Sequence, residues 1–193
     1  MVRQREFDED AALDAAMRLF WEKGYEAASL TELTARMGIQ RPSMYAAFGS
    51  KKELFEAALR SYTQAHAARV RAKLQSRTSV KDAFCALFEG IVADEYEGSL
   101  NRGCFSINTM VELAPHDEKF EILTREHQLY LSVIFQETIE RGIRAGELDA
   151  ALEARGTAQA LLVSLIGLTV MLKSRPDRQF ADNTVKTVLT LLR

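Results

Sequence analysis

The chain is poor in cysteine, in proline and in uninterrupted apolar sequence, and each shortage excludes a class of protein. Its two cysteines, Cys85 and Cys104, are too few for a disulfide framework and fit a reducing compartment. The longest apolar stretch, Ala160 to Leu172, is broken by Ser164, Gly167 and Thr169. It falls short of the ~20 apolar residues a membrane span needs. The N-terminus MVRQREFDED lacks the apolar core of a secretory signal, so the expected setting is cytoplasmic, with no membrane partner. No Pro- or Gly-rich tract separates the two halves of the chain. A net charge of −2 excludes a strongly basic protein that coats nucleic acid. It leaves sequence-specific binding open, because that depends on local clustering.

Catalytic signatures are missing as well. There is no Gly-rich phosphate loop, nucleophile elbow or carboxylate pair in an apolar setting. A Cys104–His127 or Cys104–His116 nucleophilic pair is the one arrangement the residues formally allow, and the reading is that the chain is not an enzyme. His66, His116 and His127 form no short paired spacing with one another or with Cys104. A metal site would need tertiary assembly, so neither metal nor cofactor is expected. What remains is an ordinary globular composition of 47% apolar and 27% charged residues over 193 positions, enough for one or two small domains.

The informative stretch is Ser29 to Lys52. Ser29 stands three residues before Glu32, and Ser50 three before Glu53. Each spacing lets the serine oxygen accept from the third helical N–H while the glutamate reaches back, so two helix starts are written here. Leu30, Leu33, Thr34 and Met37 recur at helical spacing. Gly38 ends that helix in the left-handed region, and Ile39 plugs the turn. Pro42 sits early in a second helix, about Arg41 to Phe48, where its missing N–H costs nothing; Met44 and Phe48 face inward. This is a helix-turn-helix, whose second helix lies in the DNA major groove. Its outward side chains are Gln40, Arg41, Ser43, Tyr45 and Ala46. Arg41 and Gln40 are the base readers, since arginine bridges guanine O6 and N7 and glutamine pairs with adenine N6 and N7. Ser43 and Tyr45 hydroxyls suit phosphates, and Ser29 and Thr31, at a helix start, are secondary phosphate candidates. Residues 1–60 carry nine basic side chains against ten acidic, with several acids in helix first turns or caps where the dipole favours them.

The run from Phe7 to Phe55, LFWEKGYEAASLTELTARMGIQRPSMYAAFGSKKELF at its heart, resembles the N-terminal domain of TetR-family transcriptional regulators. The matching features are Phe20, Gly24-Tyr25, Ser29-Leu30, Ala35, Gly38, Tyr45, Phe48, and Lys51 followed by Glu53-Leu54-Phe55. RGCFSINTMVELAPHDEKF is similar to a segment of one regulatory-domain subgroup. The resemblance implies phosphate contacts at Tyr45 and Lys51, a palindromic operator, and a homodimer repressor released by a small-molecule effector.

The rest reads as all-α, about nine helices: a three-helix helix-turn-helix domain over 1–50 and a helical ligand-binding and dimerisation domain over 51–193. Asp8 caps the first helix, whose stripe is Leu13, Ala16, Met17 and Phe20, with Trp21 and Tyr25 closing the small core. Arg3 and Arg5 lie on a short arm, either frayed or reaching a minor groove or phosphate. A long helix runs from Lys51 to about Leu74, continuous between the halves. Others span about Ser79 to Tyr96, Gly103 to Ala114, Asp117 to Arg144, Ala150 to Lys173 and Pro176 to Leu192. The segment TAQALLVSLIGLTVML is apolar on nearly every face, so one face meets a second copy. An apolar effector cavity is expected between helices, with candidates Tyr62, Phe84, Phe88, Cys104, Phe105, Met110 and Tyr130. Cys104 follows Arg102-Gly103 at a helix start, where a thiol is acidified. It reads either as a sensor of oxidants or electrophiles or as a small buried hydrophobe.

Overall fold

The computed structural model describes residues 7–97 and 102–193, with the side chain of residue 95 excepted. The described residues form nine α-helices and one 3-10 turn, with no strand. The helices are α1 (Glu9–Lys23), α2 (Leu30–Met37), α3 (Arg41–Phe48), α4 (Lys51–Gln75), α5 (Val80–Glu97), α6 (Phe105–Glu112), α7 (Glu118–Arg144), α8 (Ala154–Leu172) and α9 (Arg178–Val188). The Arg3 and Arg5 arm lies outside the described residues.

Local chemistry sets the helix ends. The Asp8 carboxylate accepts from the Asp10 and Ala11 amides at 3.0 and 3.1 Å. Both capping boxes form: Ser29 Oγ accepts from Glu32 N–H at 3.2 Å, and Ser50 Oγ from Glu53 N–H at 3.2 Å. Each glutamate accepts in return from the serine amide, at 3.2 and 2.8 Å. Gly38 ends α2 at φ 69° and ψ 24°, a left-handed conformation that glycine adopts without Cβ strain. Ser79 Oγ accepts from Asp82 N–H at 3.1 Å and so caps α5.

The α1 stripe is turned relative to expectation. Ala12, Ala16, Leu19 and Phe20 are buried, whereas Leu13 and Met17 are only half-buried. The helix packs on both α2 and α4, so its deepest face points into the groove between them.

Two cores share one helix. Leu54, Phe55, Ala58, Leu59 and Tyr62 of α4 join the N-terminal core, while Ala67, Val70 and Leu74 join the second. The N-terminal core is not sealed by its own residues. Phe55 meets Phe20 edge-on at 4.8 Å, and also Phe105 of α6 and Phe120 of α7, each at 5.2 Å. Truncating such a buried phenylalanine costs about 3–5 kcal/mol, so the N-terminal core draws part of its stability from α6 and α7.

By length and composition α8 is sufficient to cross a membrane, contrary to the count that began at Ala160. Its Leu161, Leu162, Leu165 and Leu168 are buried in the second core. Val163, 68% exposed, and Leu129 of α7, 61% exposed, lie on the outer face of the packed α7–α8 pair, with Val133, Val170 and Met171 also exposed. One side of that pair is thus left apolar and unburied.

Candidate nucleic-acid interface and effector cavity

α3 is anchored by Met44, fully buried, and stands on α2 and α4. That fixes which side chains point out. Gln40, Arg41 and Tyr45 are exposed, Tyr45 by 48%, and Ser43 is half-buried. Phe48, expected inward, is also half-buried. The Arg41 guanidinium lies 3.5 Å from the Thr31 hydroxyl, so those two candidates share one edge of the motif. Ser29 is exposed at the start of α2, although its hydroxyl is engaged with Glu32. Lys51 is held more firmly than a free surface lysine: its ammonium lies 4.5 Å over the Tyr25 ring and 3.4 Å from the Glu26 carbonyl. It therefore stands at the α1–α2 loop, a fixed positive point beside the reading helix.

A cavity of about 320 Å³ opens between the helices of the second core and the underside of the first. Tyr62, His66, Arg69 and Lys73 reach it from one face of α4; Leu87, Ile91 and Asp94 reach it from α5. α6 contributes Cys104, at its N-cap, and Ile107; α7 and α8 contribute His127, Leu131, Leu165 and Thr169 among others. Trp21 of α1 closes one end, 5.0 Å from the Tyr62 ring. It was expected only as core.

The polar end is a connected cluster. Tyr62 O–H donates to Cys104 Sγ at 3.3 Å, and the Tyr62 ring stacks on His66 at 5.5 Å. His66 Nδ1 and His127 Nε2 lie 3.2 Å apart and share a proton. His127 is 5% exposed. Burial lowers its pKa to about 4; His66 falls to about 4 through burial, then through His127 and Arg69. Both imidazoles are neutral at pH 7, so one outward ring nitrogen of the pair donates and the other accepts. The Cys104 thiol corrects an expectation. Burial raises its pKa, although the Tyr62 hydroxyl, the Ile107 and Ser106 amides and Arg69 all act to lower it. The helix-start effect is present and is outweighed by desolvation.

Of the candidates chosen from sequence, the cavity wall takes Tyr62 and Cys104 only. Phe84 and Phe88 are buried behind it, Phe84 edge-on to Phe135 at 5.1 Å. Leu87, Ile91 and Asp94 are the α5 residues that face the space. Phe105 is spent on the N-terminal core. Met110 lines an outer groove beside Leu129 and Val163. Tyr130 is half-exposed beneath the Arg71 guanidinium, 5.7 Å from its ring. His66 and Arg69 were legible in principle, because Tyr62, His66, Arg69 and Lys73 repeat at spacings of four, three and four residues. His127 falls on the inward stripe of its helix, but its pairing with His66 was not legible, because the two lie sixty-one residues apart. Among the described residues, no three His, Cys, Asp or Glu side chains gather as a metal-binding group.

α6 also joins the cavity to the reading head. Its first turn lines the cavity, and its last residue, Glu112, crosses to the α1–α2 loop. There one carboxylate oxygen accepts from Tyr25 N–H at 2.9 Å and Glu26 N–H at 3.3 Å. The other would stand 2.9 Å from a Cβ added at Gly24, and Gly24 has φ 81°. The positive φ favours glycine there, and a side chain would also push the Glu112 carboxylate aside.

Residues 12–58 match the model of the bacterial regulatory proteins of the tetR family, and residues 80–188 match that of the tetracyclin repressor-like C-terminal domain. The chain belongs to the tetR family. The HTH-type transcriptional regulator YezE of Bacillus subtilis (strain 168) is 31% identical over 193 residues, covering 100% of both chains. The HTH-type transcriptional repressor ComR of Escherichia coli (strain K12) is 34% identical over 170 residues, 87% of this chain and 80% of ComR. A cysteine mutant of the TetR-family regulator CifR, solved with 26 bp double-strand operator DNA, superposes with a TM-score of 0.86 at 34% identity. That match covers 99% of this chain and 100% of CifR. This TetR-family chain is thus a DNA-binding transcriptional regulator, all-α, with an N-terminal helix-turn-helix and a helical C-terminal half.

Proposed function

We propose that this TetR-family regulator is a homodimeric, cytoplasmic repressor without enzymatic activity, holding a palindromic operator and released from it by a small-molecule effector in the α4–α8 cavity. Residues 1–50 serve as the reading head and 51–193 as the regulatory and dimerisation unit. The observation that carries the reading is the sharing of α4 and α6 between cavity and head. A ligand that moves either helix necessarily strains the Phe55–Phe105–Phe120 contacts or the Glu112 tether. Two reading heads about 34–36 Å apart fit successive major grooves. The exposed apolar face of α7 and α8 supports a four-helix contact with a second copy. Arg41 and Gln40 read base edges; Ser43, Tyr45, Lys51, Ser29 and Thr31 hold phosphates. Effector binding favours a different spacing, and operator affinity falls by the difference in binding free energy between the two states.

Selection of purified protein against a random duplex pool at physiological salt tests this. Enrichment of an inverted repeat, its half-sites about one helical turn apart, is the expected result. Enrichment of a lone half-site, or of nothing by a folded protein, refutes the dimeric operator reading.

A further inference from the structure

The cavity has an apolar body and one charged rim, and the charge is lopsided. Arg69 and Lys73 line it from α4, and Asp94 from α5. None of the three makes an ion pair among the described residues. Arg69 sits one helical turn beyond His66 on the cavity face. Its positive field reaches the polar end, acting on Tyr62, His66 and Cys104. Asp94 is the one carboxylate among the described residues that line the cavity, against two cations. The polar groups at that end are also suited to donate. The Tyr62 hydroxyl hydrogen is held only by the weak acceptor Cys104 Sγ at 3.3 Å and can turn to a stronger one, the neutral His66–His127 pair has one outward N–H, and Arg69 offers a guanidinium. A cation at the mouth of a donor-rich, largely apolar cavity favours an anion over a neutral molecule and repels a cation.

Resting on the effector reading above, we propose that the cavity takes an amphipathic monoanion, a carboxylic acid with an apolar tail, its carboxylate beside Arg69, Tyr62 and His66 and its tail against Leu87, Leu131 and Leu165. Arg69 reaches the carboxylate from the open side, where its own exposure keeps it hydrated until the ligand arrives. Lys73 strengthens the field from the next turn, and Asp94 sets a limit on it by repelling a second negative charge. Selectivity thus lies in the head, while the tail supplies apolar burial.

Trp21 is the single tryptophan of the chain and lines this cavity, so its fluorescence reports occupancy directly. The test titrates the full-length protein at neutral pH with octanoate, 1-octanol and octylamine, which share a tail and differ in head charge. Octanoate should bind about tenfold tighter than octanol, and octylamine weakest. Arg69→Gln should reduce the octanoate preference to below about threefold, Arg69→Lys should retain most of it, and Asp94→Asn should keep or widen it. Circular dichroism confirms folding of each variant. Equal binding of the three probes, a preference for octylamine, an unchanged preference in Arg69→Gln, or no Trp21 response to any probe overturns the assignment. Octanoate that binds with the expected preference yet leaves operator affinity unchanged supports the anion site and refutes effector release, which keeps the two conclusions separable.

Discussion

Acidification should destabilise this regulator well above the range where its carboxylates titrate, and the buried histidine pair sets the size of the effect. His66 and His127 stand at about 4 in the folded chain, against an ordinary 6.5. Below pH 6.5 the unfolded imidazoles take up protons while the folded pair resists until about 4. The unfolded state therefore binds more protons in that window, and stability falls as pH falls. The contribution is fully present above 6.5 and lost on approach to 4. Between pH 6.5 and about pH 5 each imidazole contributes a loss of about 1.5 kcal/mol, so the pair contributes about 3 kcal/mol. The carboxylates begin to matter only nearer their ordinary 4.5, which leaves the upper window to histidine. Urea denaturation at fixed protein concentration, stepped from pH 7 to pH 5, measures the slope. The double variant His66→Gln/His127→Gln, whose amides hydrogen-bond without titrating, should remove most of it. A flat wild-type profile, or a slope unchanged in the double variant, would show that the pair is not held neutral by burial.

Two further perturbations probe the reading head and its tether. Arg41→Ala should cost about 1–3 kcal/mol of operator binding and relax base preference at one position per half-site. Lys51→Ala should weaken operator and random DNA alike and flatten the salt dependence; identical losses for both variants on both DNAs would refute the division into base reader and phosphate clamp. Glu112→Ala removes a charge-assisted acceptor from the Tyr25 and Glu26 amides, worth about 1–2 kcal/mol at a half-exposed site. Hydrogen exchange at Tyr25 should accelerate by about 5- to 30-fold. Unchanged protection of that amide would mean that Glu112 does not hold the loop.

The helix-turn-helix was legible because its determinants are local. The Ser29–Glu32 and Ser50–Glu53 boxes, Gly38 and Pro42 act within four residues of themselves, and each appears in the structure as the spacing requires. Helix number and approximate ends follow from the same short-range chemistry. The face of α1 was less legible: periodicity finds a stripe but not which edge of it two neighbours press on, so Leu13 and Met17 ranked with Phe20 although they lie at its margin. The cavity was the hardest part. Aromatic residues on α4 to α7 carry the same apolar signal whether they fill space or border it, and only the packing of α5 separates Phe84 and Phe88 from Leu87, Ile91 and Asp94.

By itself, then, the sequence determined an all-helical chain with a DNA-reading motif and a continuous α4, because caps, turns and periodicity are encoded residue by residue. Tertiary structure alone decided that Phe105 and Phe120 complete the reading head's core, that Glu112 grips the Gly24–Glu26 backbone, and that His66 meets His127. It also decided that Cys104 is a half-buried thiol in the cavity wall whose pKa is raised by desolvation. Each of these depends on a contact between residues far apart in the chain, and on how much water that contact excludes.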